Sequence, residues 1–192
     1  MYLTAFLAGL AIFFIPHFYS TFRARGAGDI KARMGPGPYM GLYSLVTLAG
    51  FGLIVWGYGN LKPWIPIWDP PVWTRHVALT LMLPALILLV SAYVPAGYIK
   101  RAVKHPMLAA VKVWALAHLV ANGDLASIIL FGSFLLYAVI DRIAVKRRGD
   151  LGPVGVNPKL TGDVVAVLAG AAVYGAIAFY LHPILFGVAV VG

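Results

Sequence analysis

The sequence predicts an all-α, polytopic transmembrane helical bundle of about six spans, with both termini on the outer side. Three observations predict it. Apolar residues make up 61% of the 192 positions, well above the roughly 45–50% of soluble domains. Charged residues are only 11%, too few to cover the surface of a soluble domain of this length. The apolar residues also fall into runs long enough to cross about 30 Å of hydrocarbon, which takes about 20 residues of helix. The length suits a single transmembrane domain over residues 1–192 and leaves no room for a second sizeable one.

In order, the expected spans are Tyr2–Ser20, Tyr39–Tyr58, Val72–Val94 with Pro84 inside it, His105–Val120, Leu125–Ile140 and Val164–Val191. The fourth carries Lys112 and is parted from the fifth only by Ala121-Asn122-Gly123-Asp124, the polar tip of a helical hairpin. The first is not expected to be a cleaved signal peptide, because no Lys or Arg precedes it and no small-residue cleavage site follows. The second loop, from Gly59 to Trp73, is rich in Trp and Pro and reads as an aromatic belt at the outer interface, level with Tyr2, Trp56 and Tyr58. No inverted repeat of the kind found in many secondary transporters is visible.

Charge sets the orientation. The first, third and fifth loops hold twelve basic residues, namely Arg23, Arg25, Lys31 and Arg33, then Lys100, Arg101 and Lys104, then Arg142, Lys146, Arg147, Arg148 and Lys159. The second and fourth loops hold Lys62 and Arg75 alone. The excess places the odd loops in the cytoplasm, as for a multi-pass membrane protein. The same pattern accounts for the net charge of +9 through contact with anionic lipid, and calls for no nucleic acid.

An ionisable group inside a span is costly to bury and marks a functional site by default. There is no Cys and no Glu, and the six aspartates lie in loops and at helix ends. Thiolate chemistry is thereby excluded, and His17, His76, His105, His118 and His182 are left as intramembrane ligands. Depth separates them. His17 lies about 22 Å along the first span and His118 about 20 Å along the fourth, which runs the other way. Two imidazoles approaching from opposite sides suit a flat macrocycle, a haem with two axial histidines; zinc would need closer and more numerous ligands. His105 and His118 are about 140° apart on the helix and do not serve one metal together. His105-Pro106 reads as a helix start, and His182-Pro183 as a kink or break. His76, beside Arg75, is either an interface residue or a support for a ligand.

On the face of His118 lie Met107, Val111, Trp114 and Asn122, flanked by Ala109, Ala110, Ala115, Ala117 and Ala121. Those alanines admit either a broad ring or a neighbouring helix. Arg23, Arg25 and Lys112 are the cations available to haem propionates, and the arginines equally mark the cytoplasmic side. A lysine at mid-span needs an anionic partner or a route to snorkel.

Three stretches carry a family resemblance. They are Pro16-His17 with Arg23 six residues on, Lys104-His105-Pro106 followed by Trp114 and Ala117-His118, and Ala121-Asn122-Gly123-Asp124. The chain resembles the NnrU family of bacterial membrane proteins and, more distantly, the plant and cyanobacterial ζ-carotene isomerases. The resemblance runs from about Tyr2 to Arg142, and His105 to Asp124 is its most specific part. It implies a link to denitrification, through nitrite and nitric oxide reductase activity. From the isomerases it implies haem b, iron ligation at the positions of His17 and His118, further notable histidines at His76 and His105, and a hydrophobic polyene as substrate. The isomerases carry a cysteine three residues before the second axial histidine, where this chain has Ala115. A membrane methyltransferase would also use a basic residue before His-Pro, but with glutamates that are absent here. A small-solute carrier is favoured by topology alone.

Overall fold

A computed structural model describes residues 1–26, 28–153 and 156–190. Among these the secondary structure is helical, with one isolated antiparallel bridge between Pro66 and Asp124. The helices are α1 (Tyr2–Phe22), α2 (Ile30–Met34), α3 (Pro36–Gly59), α4 (Trp73–Tyr93), α5 (Tyr98–Val103), α6 (Pro106–Ala121), α7 (Leu125–Arg147), α8 (Leu160–Ala176), a π-turn (Ile177–Leu181) and α9 (His182–Phe186). Five stretches are long and apolar enough to cross a membrane: α1, α3, α4, α7, and the run Leu160–Phe186. The chain is an integral membrane protein, and helix is the form that satisfies every backbone group in hydrocarbon. The fourth expected span, α6, has 16 residues, about 24 Å of helix, and falls short of the other five.

Boundaries follow local chemistry. Pro36 and Pro106 open α3 and α6, where a missing N–H costs nothing. Asp124 caps α7 by accepting from the Ser127 backbone N–H at 2.8 Å. Helix α7 runs on past the expected end at Ile140, because Asp141, Arg142, Lys146 and Arg147 leave the apolar run without breaking the helix. The last span is interrupted as expected: Pro183 offers no N–H to the preceding turn, and the helix widens to π spacing before it. The expected end of that span, Val191, lies outside the described residues. The charged first and third loops contain the short helices α2 and α5.

The chain divides into two compact units, Met1–Trp64 and Ile65–Gly192. In the first, α1 and α3 pack antiparallel at backbone contact. A Cβ on Gly50 would lie 2.6 Å from the Phe13 nitrogen, and one on Gly9 2.6 Å from the Ile54 nitrogen. This is the close approach that small residues allow between helices in lipid. Gly50→Ala is expected to destabilise the protein by about 2–3 kcal/mol through overpacking. Thermal unfolding in detergent reads this against Gly52→Ala, whose new methyl would meet open space.

In the second unit α4 packs against both α6 and α8, and α6 packs on α7. Ala110, Ala115 and Ala117 are almost wholly buried, so those small residues serve helix packing. The loop after α4 is tied to α8 by Asp163, whose carboxylate accepts from the backbone N–H groups of Tyr98 at 2.8 Å and Ile99 at 2.9 Å. These are two of the orphan donors at the start of α5. Asp163→Ala is expected to cost about 2 kcal/mol, since charge-assisted bonds of this kind are lost without replacement. Hydrogen exchange at the α5 amides should rise with it. A variant whose unfolding midpoint matches wild type would show that the tether contributes nothing.

The second loop does more than line an interface. Ile67 N–H and Trp68 N–H both donate to the Gly123 carbonyl, at 2.8 and 3.1 Å, and Leu125 N–H donates to the Ile65 carbonyl at 2.9 Å. Residues 65–68 thus dock on the hairpin tip between α6 and α7.

Candidate functional site: two tethered histidines

Each unit carries one of the two histidines singled out by depth, and both are built the same way. In α1, His17 Nδ1 lies 2.6 Å from the carbonyl oxygen of Phe13, one turn back. In α6, His118 Nδ1 lies 2.8 Å from the carbonyl oxygen of Trp114, again one turn back. A carbonyl can only accept, so Nδ1 is the donor in each ring, and in a neutral imidazole that leaves the lone pair on Nε2. Metal-binding histidines are commonly prepared in this way, with the second nitrogen donating to a backbone carbonyl to fix tautomer and orientation.

Aromatic rings hold both imidazoles. His17 stacks on Phe13 with centroids 4.3 Å apart and 23° between planes, and Tyr43 of α3 approaches to 5.3 Å. His118 stacks on Phe131 of α7 at 4.5 Å and 27°, with Trp114 at 5.2 Å. Trp114 in turn meets Phe131 and Phe134 edge-on, at 5.1 and 5.4 Å. Packing of this kind limits ring rotation and keeps water off the Nδ1 bond.

A model of the NnrU protein family matches residues 5–190. The chain belongs to the NnrU family. No curated protein and no solved structure matches it.

In this NnrU protein the remaining candidates separate clearly. Trp114 is part of the His118 cluster. His105 is the residue before Pro106 and the N-cap of α6. Its Nε2 lies 3.2 Å from the Asp150 carbonyl oxygen, so the side chain ties α6 to the loop after α7. Lys104 beside it adopts a φ of 67°, a left-handed conformation costing roughly 1–3 kcal/mol, and so turns the chain sharply from α5 into α6. His76 is exposed in the first turn of α4. His182 opens α9, with Nδ1 2.8 Å from the Val188 carbonyl oxygen. Arg23 is the C-cap of α1, and its guanidinium pairs with Asp29. Lys112 is half-buried on α6 and forms no ion pair among the described residues.

Among the described residues no three or more His or Asp side chains converge on a point that would hold a metal ion. An iron with two axial imidazoles requires no such cluster. Each imidazole taken by itself has the donor chemistry of such a ligand, with Nδ1 held by a backbone carbonyl. Sequence reasoning missed Phe13, Tyr43, Phe131 and Phe134. Phe13 had a signal, one turn before His17. Phe131 and Phe134 had none, because apolar residues of α7 look alike until the helix is packed.

Proposed function

We propose that this NnrU-family protein binds haem b through His17 and His118 and acts beside nitrite and nitric oxide reduction in the bacterial inner membrane. The observation that supports it is the shared build of the two histidines, each with Nδ1–H held by a carbonyl one turn back and its ring stacked on Phe. When bound, the haem supplies a one-electron iron couple tuned by its axial ligands and surroundings. Phe13 and Trp114 fix the Nε2 lone pairs through their carbonyls, which raises ligand basicity. Phe131, Phe134 and Tyr43 exclude water and orient the rings. Of the three cations set against propionates, Lys112 carries the assignment, because it lies half-buried on the helix of His118 and forms no ion pair among the described residues.

The visible spectrum of the purified protein tests this. After haem is supplied, a sharp Soret band and two resolved bands on reduction are expected, the pattern of two-imidazole ligation. A preparation that stays colourless removes the reading. Deleting the protein from a denitrifying host is expected to lower nitrite and nitric oxide reductase activity; unchanged activities would remove that half. The alternative, a haem-dependent polyene isomerase, lacks the cysteine that the resemblance calls for, since position 115 is alanine. Unaltered cis/trans composition in carotenoid-accumulating cells expressing the chain would dispose of it.

A further inference from the structure

The stretch after α1 is more than a set of positive charges. A cleft of about 360 Å³ is lined by Arg23, Arg25, Gly26, Asp29, Lys31, Ala32 and Pro36, so three cations surround one carboxylate. That carboxylate is occupied. Asp29 is buried; one oxygen accepts from the Tyr19 hydroxyl at 2.8 Å and the Lys31 N–H at 3.4 Å, and the other takes the Arg23 guanidinium. Tyr19 also accepts from the Ile30 N–H at 3.1 Å, which fixes α2 against the end of α1. An orientation signal requires charge alone; here the loop is folded around a desolvated arginine.

Arg23 is not satisfied by Asp29. Its side chain is 13% exposed, yet its Nε–H is buried without a hydrogen-bond partner, a state that costs roughly 1–3 kcal/mol. The buried Nε–H itself is closed to a ligand, and it is the charge lining the cleft, from Arg23, Arg25 and Lys31, that suits a phosphate. Close in sequence to the lining residues are exposed apolar side chains: Phe22 is 65% exposed, and Ile30 and Met34, one turn apart on α2, are 47% and 39% exposed. A phosphate-seeking cleft flanked by exposed apolar side chains at the end of a spanning helix matches an amphiphile with a phosphate head.

We infer that Arg23, Arg25 and Lys31 form a binding site for the phosphate of an anionic phospholipid, with Phe22, Ile30 and Met34 against its acyl chains. Asp29 positions Arg23 and keeps the cleft from collapsing. The site uses none of the ligands proposed for haem, so the two readings stand or fall separately.

The experiment is lipid retention by the full chain, read by native mass spectrometry after reconstitution in phosphatidylcholine discs with or without phosphatidylglycerol. Selective retention of phosphatidylglycerol is expected, weakened about tenfold in Lys31→Gln, the loss expected for one charge-assisted hydrogen bond. Lys62→Gln, which removes a charge from another loop, should retain the lipid as wild type does. Equal loss in Lys62→Gln would show a general charge effect and overturn the site. No preference for phosphatidylglycerol would overturn it too. Inorganic phosphate displacing the lipid, and raising the unfolding temperature of lipid-free protein, would make free phosphate the ligand and overturn the lipid assignment. Arg23→Gln is a harsher probe, because it also leaves Asp29 buried and unpaired; Lys31→Gln keeps the test independent of folding.

Discussion

Purified His118→Ala, supplied with haem, is expected to lose the two-imidazole spectrum and to retain haem more than about a hundredfold less tightly. The magnitude follows from ligand chemistry, since removing only the outer hydrogen-bond partners of metal ligands costs about 10–100-fold. His17→Ala should match it, because His17 is prepared in the same way, with its Nδ1–H on the Phe13 carbonyl. His105→Ala and His76→Ala supply the contrast. His105 already uses its Nε2 on the Asp150 carbonyl, and His76 stands exposed at the start of α4, so both variants should keep the wild-type spectrum. A His118→Ala protein that stays red with unchanged bands would exclude His118 as a ligand. Loss of the spectrum in His105→Ala instead would move the site to the start of α6.

Gly123→Ala is expected to destabilise the fold by about 3 kcal/mol or more, which would show as poor expression or a markedly lower unfolding temperature in detergent. A Cβ at this position would lie 1.9 Å from the Trp68 carbonyl oxygen and 2.9 Å from Pro70 Cδ. Relief requires the loop to retreat, and the loop is held by the Gly123 carbonyl itself, which accepts from Ile67 and Trp68. Overpacking and the loss of two backbone hydrogen bonds therefore act together. Gly132→Ala in α7, where the new methyl would meet nothing within 4 Å, should change stability by less than about 0.5 kcal/mol. If the two variants unfold together, the loop does not brace the hairpin tip.

Much of this was legible in the residues. The apolar runs located α1, α3, α4 and α7 to within a few residues at most ends, because hydrocarbon selects for length and hydrophobicity and leaves both in the sequence. His105-Pro106 and His182-Pro183 announced a helix start and a helix break through proline's missing donor. The extension of α7 to Arg147 was not legible, since an apolar run ends where lipid ends, and a helix of good formers continues into water. The short helices α2 and α5 were hidden for a related reason: their stability comes from Asp29 and Asp163, and neither contact is periodic.

By itself, then, the sequence determined that the protein is helical and membrane-embedded, and which residue types it could use for chemistry. Those are properties of composition and of spacing along one helix. Tertiary structure decided which alanines serve packing, that His118 rests on Phe131, that Arg23 turns to Asp29, and that the Trp-Pro loop docks on Gly123. Each of these depends on where a second segment arrives, and an apolar or basic residue carries no record of its partner.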